Sequence, residues 1–283
     1  MTKTCLIFGL GYSAKAWAKQ LVAQGWQVAG TTRSVENFPS IQEIGATPLL
    51  WGEKDVTNWI NSSTHLLISV GPTAQGDPTL ATYHSHISQR AAQFEWVGYL
   101  STTGVYGDRN GEWVDETSNL LGVTKRGLAR IKAEAEWGAI PKLPLHIFRL
   151  AGIYGPNRGP FSKVLSGSAR RIVKPNQVFN RIHVDDIAQT LMASVNAPNP
   201  GSAYNVCDDD AAPPQDVIDF AAHLLGRTSP PSEDFETAEM TPMAKSFYAE
   251  SKRVRNDKIK KELGVVLKYP DYRTGLEALR KDL

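Results

Sequence analysis

The sequence predicts an α/β protein: a doubly wound parallel sheet with a smaller C-terminal lobe. Three observations carry that expectation. Strand-length apolar runs alternate with helical periodicity through the first half of the chain. The runs are continuously apolar, as in strands covered on both faces. The first run leads through a glycine-rich turn straight into a helix.

The first strand is Cys5-Leu6-Ile7-Phe8. Ala14, Trp17, Ala18, Leu21 and Val22 then repeat at the three-and-four spacing of an amphipathic helix, and Gly25 suits its end. Further strands are expected at Gln27–Thr32, 48–51, 66–70, 97–101 and Leu145–Leu150, with helices between most of them. Beyond residue 155 the pattern loosens, with loop-like stretches at 155–159 and 198–202. Strands are expected at 181–184 and 204–207. Asp185 or Asp186 should cap a helix through Leu191, and 213–225 and 256–263 read as helical. The expected division is 1–155 for the sheet domain and 156–283 for the lobe, with about 181–207 returning to the sheet.

Composition narrows the function. The 283 residues carry a formal net charge of +2, without the basic excess of a dedicated nucleic-acid binder. No apolar run approaches the roughly 20 residues of a membrane span. The N-terminus lacks an uninterrupted apolar stretch, since Lys15, Lys19 and Gln20 follow the glycine turn closely. Cys5 and Cys207 form no disulfide framework, and no zinc signature is present. The expectation is a cytoplasmic protein with a small-molecule substrate and no metal.

The turn Gly9-Leu10-Gly11-Tyr12-Ser13-Ala14 has the Gly-x-Gly-x-x-Ala pattern of a Rossmann dinucleotide site. The first glycine permits the tight turn. The second lets a pyrophosphate approach the backbone, and the third small residue lets helix and strand pack closely. The helix N-terminus offers free N–H groups to the phosphates. The second strand ends Thr31-Thr32-Arg33-Ser34, with no acid to hold ribose hydroxyls. Arg33, helped by Thr32 or Ser34, suits a 2′-phosphate, so NADP is expected, with NAD possible; the alternative is a solvated arginine.

Beyond the glycine turn the chain resembles the extended short-chain dehydrogenase/reductases, the group described as NAD-dependent epimerase/dehydratases. The resemblance rests on 100–107 (Leu-Ser-Thr-Thr-Gly-Val-Tyr-Gly), 149–156 (Arg-Leu-Ala-Gly-Ile-Tyr-Gly-Pro) and 182–188 (Ile-His-Val-Asp-Asp-Ile-Ala). It implies that Thr102 hydrogen-bonds the reacting oxygen. It also implies that Ser69, Val70 and Gly71 border the cofactor, that Ala151, Gly152 and Ile153 border the nicotinamide, and that two copies dimerise through helices of the main domain.

One departure bears on catalysis. Where the family carries Tyr-x-x-x-Lys on a helix, the matching stretch has Arg126 and Arg130. A guanidinium stays protonated and cannot pass a proton at working pH. Arg126 is either an anion clamp or a plain helix-surface salt bridge. Arg130 is a candidate for the lysine's other role, binding the nicotinamide ribose. Tyr106 and Tyr154 remain as proton-donor candidates beside water or the substrate itself. Two readings follow: an NADP-dependent oxidoreductase or epimerase-like enzyme on a small polar substrate, or an NADP-binding sensor with little catalysis. His183 reads as structural and His84 and His86 as a solvated face. Arg170, Arg171 and Lys174 are a substrate-side cluster or an exposed loop. Trp51, Trp59, Trp96, Trp113 and Trp137 read as packing.

Overall fold

The computed structural model describes residues 3–281 and 283. Seven strands make the central sheet: β1 (Thr4–Phe8), β2 (Gln27–Thr32), β3 (Thr47–Leu50), β4 (His65–Ile68), β5 (Trp96–Thr102), β6 (Leu145–Leu150) and β7 (Ala203–Val206). Their order is β7-β6-β5-β4-β1-β2-β3, and every pairing is parallel. The winding direction reverses between β1 and β4. In open α/β sheets that reversal leaves a ligand crevice at the strands' carboxyl ends.

The continuous apolar runs have a direct cause. Cys5 and Ile7 of β1 join a core with Trp17, Leu21, Trp96, Phe148 and Leu191. Leu6 and Phe8 join a second core on the opposite face with Ile60, Tyr83, Ile87, Tyr99 and Trp137. Helices α1 (Tyr12–Ala23) and α5 (Val184–Asn196) cover the first face. The other is covered by α2 (Lys54–Ser62), α3 (Pro78–Arg90) and α4 (Lys125–Gly138).

A third core, including Tyr154, Phe161, Val217, Ala221, Tyr272 and Leu276, holds the C-terminal lobe together. It draws on α6 (Pro214–Leu224) and α8 (Tyr272–Lys281); α7 (Pro242–Tyr248) lies between them in sequence. The 181–207 segment divides. β7 pairs with β6 in the central sheet, and α5 packs on α1. Arg181–His183 does not return to that sheet and pairs with Gly152–Tyr154 instead.

Local expectations need three further corrections. His183, rather than Asp185 or Asp186, caps α5, its Nδ1 accepting the Asp185 N–H at 3.2 Å, while the two acids occupy the first turn. Trp113 is 51% exposed, its ring covered by the Arg255 guanidinium at 5.1 Å. The basic cluster is an exposed loop only at Arg170; Arg171 opens a short strand, Lys174 is half-buried, and none of the three lines the cleft between the sheet's carboxyl edge and the lobe. Arg170 pairs with Glu233, Arg171 donates to the Pro230 carbonyl at 3.2 Å, and Lys174 donates to the Tyr248 carbonyl at 2.5 Å.

Candidate functional site

The glycine turn sits at the winding reversal. Gly9 has φ +80°, and a Cβ there would stand 2.7 Å from Val70 Cγ2. Its N–H donates to Thr31 Oγ1 at 2.8 Å, which ties the turn to β2. Gly11 differs, because a Cβ built on it meets only the Gly9 carbonyl at 4.0 Å. The protein itself therefore does not require a glycine at position 11. Gly11 caps α1, and no side chain bonds that helix end. The first N–H groups of a helix lack intrahelical partners, so those of Tyr12, Ser13 and Ala14 are open to an anion. Ala14 is fully buried in the core and Ser13 lines the cleft. An exposed Gly11 beside an uncapped helix end fits the pyrophosphate of a dinucleotide.

At the end of β2, Thr32 Oγ1 accepts from the Ser34 N–H at 3.3 Å and from Asn37 Nδ2 at 3.0 Å. This closes the turn that carries Arg33, whose side chain is exposed. Ser69 donates its N–H to the Phe8 carbonyl at 2.9 Å, so β4 ends beside the glycine turn.

A cleft of about 880 Å³ lies between the sheet's carboxyl edge and the lobe. From the sheet side Ser69, Gly71, Thr102, Ala151, Gly152 and Ile153 line it. Thr102 ends β5, and its Oγ1 accepts the Gly104 N–H at 3.2 Å. From α4, Arg126 and Arg130 both reach the cleft. Arg130 donates to the Leu100 carbonyl and, at 3.3 Å, to the Tyr99 hydroxyl. A Cβ on Gly71 would come within 3.1 Å of its Nη2. Arg126 lies exposed at the mouth with its guanidinium 5.9 Å from the Phe247 ring centroid, and it has no ion-pair partner among the described residues.

Tyr106 is not at this cleft. It is fully buried, accepts from Arg149 Nη1 at 2.9 Å and donates to Asn205 Oδ1 at 2.7 Å. Burial, opposed in part by Arg149, pushes its hydroxyl up to about 12. It belongs to a buried network in which Arg149 Nη2 meets Glu134 Oε2 at 2.9 Å and Ser101 Oγ donates to Glu134 Oε1 at 2.5 Å. Tyr154 does line the cleft, but its hydroxyl faces the Asp271 carbonyl at 3.4 Å and burial raises its pKa strongly.

Several cleft residues gave no sign in the sequence. Arg158, Arg181, Tyr248, Glu250 and Lys252 all line it. Lys252 Nζ meets Glu250 Oε2 at 2.7 Å, with both side chains nearly buried. Arg181 spends Nη1 on the carbonyls of Phe179 and Ala212, at 2.8 and 3.1 Å. The Tyr248 hydroxyl has no hydrogen-bond partner among the described residues. Only tertiary contacts assemble this group, so no local motif announced it. Conversely His84 and His86 are exposed, and among the described residues no cluster of His, Cys, Asp and Glu could hold a metal. No helix of the described residues is long and apolar enough to cross a membrane.

No family model matches the chain. A conserved, functionally unknown protein of Silicibacter pomeroyi has a solved structure that is 57% identical, spans 99% of both chains and superposes with a TM-score of 0.95. The chain belongs to that protein's family. Protein YeeZ of Escherichia coli (strain K12) is 27% identical over 95% of this chain and 97% of its own length. A Methylobacillus flagellatus protein, proposed to be an NAD-dependent epimerase/dehydratase, is 25% identical over 100% and 99% of the two chains, with a TM-score of 0.76. At fold level a human epimerase family protein solved with NADPH is similar, at 16% identity, 99% and 100% coverage and a TM-score of 0.77. The architecture is thus the Rossmann-like fold of epimerases and short-chain dehydrogenase/reductases.

Proposed function

We propose that the chain binds a nicotinamide dinucleotide, NADP in preference to NAD, and acts as an oxidoreductase or epimerase-like enzyme on a small anionic substrate. The observation that carries this reading is Gly11: its open Cβ position lies at the uncapped N-terminus of α1, at the winding reversal. Epimerase-fold proteins described as NAD-dependent or solved with NADPH add support.

The cofactor, when bound, supplies hydride exchange at its nicotinamide. The chain's own groups do the rest. Ala151, Gly152 and Ile153 border the ring, and Thr102 hydrogen-bonds the reacting oxygen. Arg130 holds the nicotinamide ribose. Arg126 clamps the substrate's negative charge. The cleft favours an anion, because Arg126, Arg130, Arg158, Arg181 and Lys252 line it against one carboxylate, Glu250.

Tyr248 takes over from Tyr106 as the protein's proton-donor candidate. Its hydroxyl is unspent and it lines the cleft; burial raises its pKa, and Arg170 and Arg181 oppose that rise. The sensor reading has one observation in its favour: Tyr106 is fully buried in the core and does not line the cleft.

A crystal structure with NADP tests the proposal. The nicotinamide should lie against residues 151–153 with its ribose beside Arg130. A cofactor bound elsewhere removes the reading. Turnover that survives in wild type and falls in Tyr248→Phe favours the enzyme, and a protein that binds NADP but turns over no anionic carbonyl compound favours the sensor.

A further inference from the structure

Arg181 lines the cleft with a charge that the protein leaves uncompensated. Only its Nη1 is spent, on the Phe179 and Ala212 carbonyls. Nε and Nη2 have no hydrogen-bond partner among the described residues, and no carboxylate among them forms an ion pair with it. Asp208 acts on it electrostatically, yet both Asp208 carboxyl oxygens lack a hydrogen-bond partner. Burial lowers the Arg181 pKa from its ordinary value. A desolvated cation is costly unless an anion meets it.

The surroundings of this cation are apolar. Its guanidinium lies 5.9 Å from the Tyr272 ring centroid. Tyr272 packs in one cluster with Val217 and Leu276, and all three line the cleft. Phe179 lines it too, with its ring centroid 5.5 Å from that of Tyr248. The groups that could hold a polyol are already engaged. Asn180 Nδ2 donates to the Lys252 carbonyl at 2.8 Å, and its Oδ1 accepts the Val254 N–H at 2.9 Å. Glu250, the one carboxylate lining the cleft among the described residues, is paired with Lys252.

The geometry points to a substrate carboxylate held by Arg181 and borne on an apolar body that packs against Phe179, Val217, Tyr272 and Leu276. This deepens the enzyme reading and rests on it: the substrate class is a hydrophobic carboxylic acid, not a sugar. A guanidinium meets a carboxylate through two N–H groups at once, and Nε with Nη2 is such an edge. The two carbonyls on Nη1 hold the guanidinium in place before a ligand arrives, which limits the side-chain ordering that binding requires. Apolar walls with a few placed polar groups are the usual make-up of a small-ligand cleft. Arg181 adds a second cationic contact to that of Arg126 at the mouth.

The test is NMR titration, with and without NADP, of three probes: 3-phenylpropionate, 3-phenylpropan-1-ol and glucuronate. The alcohol keeps the apolar body and loses the charge. Glucuronate keeps the carboxylate and replaces the body with hydroxyls. Wild type should bind 3-phenylpropionate about tenfold tighter than either. Arg181→Gln should bring the acid down to the affinity of the alcohol and leave the alcohol unchanged, and Arg181→Lys should keep part of the preference. Arg181 also holds two carbonyls, so a melting curve checks that each variant is folded; the wild-type comparison needs no variant. Equal binding of acid and alcohol by wild type, or tighter binding of glucuronate, overturns the proposal. An undiminished preference in folded Arg181→Gln does the same. NADP binding without a preference for 3-phenylpropionate overturns the substrate class alone. A preference that depends on Arg181 in a protein that binds no NADP supports the carboxylate site and overturns the enzyme reading.

Discussion

Arg149 of β6 and Glu134 of α4 form a buried ion pair of 2.9 Å beneath the cleft, with side-chain exposures of 7% and 5%. It fastens to the sheet the helix that carries Arg126 and Arg130. Removing one partner strands the other's charge in the core, which typically costs about 3–5 kcal/mol. Glu134→Ala should lose stability of that order in urea denaturation. A change under about 1 kcal/mol would show that water reaches Arg149 and that the pair does not anchor α4.

Gly11→Val separates fold from binding. No atom of the protein other than the Gly9 carbonyl approaches the new Cβ. Exchanging a glycine N-cap for valine should cost about 1 kcal/mol, so the variant should melt cooperatively near wild type. A side chain there blocks pyrophosphate, and dinucleotide binding should vanish by calorimetry. Undiminished affinity in the folded variant would refute the phosphate-loop assignment.

Arg126 lies at the cleft mouth, away from the glycine turn. Arg126→Ala should leave NADP affinity within about twofold while reducing turnover of an anionic substrate on the order of 100-fold. Loss of cofactor binding instead would make Arg126 a cofactor ligand. Arg130, packed against Gly71, should show the opposite pattern.

Acid should unfold this protein through its histidines. Burial lowers His65, His146 and His183 to about 4; Lys3 adds to the effect at His65, and Asp185 opposes it at His183. The unfolded chain takes up protons near pH 6.5 that the folded chain refuses. Between pH 6.5 and 4 the unfolded state thus binds more protons, so stability rises with pH and falls on acidification through that window. The Tm should drop steadily from pH 7 to pH 5. Burial raises Glu116, Asp186 and Asp208, which opposes this slope, so the deciding readout is His146→Gln: it should flatten the slope, and an unchanged slope would contradict the lowered His146 pKa.

The sheet was legible because burial on both faces writes itself as unbroken apolar runs. Residues 5–8 needed no tertiary knowledge. The glycine turn was legible because it is a local backbone device joining β1 to α1. The lobe was harder to read: Pro242–Tyr248 is a seven-residue helix, too short to establish a helical period, and Arg181–His183 is a three-residue strand whose partner lies about thirty residues away. Tyr106 misled because a motif position says nothing of which way a side chain points, and here Arg149 and Asn205 draw it inward.

Cofactor choice rests on Arg33 and is decided by titrating NADP and NAD separately into the wild-type protein. Charge-assisted hydrogen bonds are worth roughly 1.5–3 kcal/mol, so NADP should bind roughly 10- to 150-fold tighter. The gap should narrow as salt is raised, because the arginine is exposed. Equal affinities, or tighter binding of NAD, would contradict the account and leave Arg33 a surface charge.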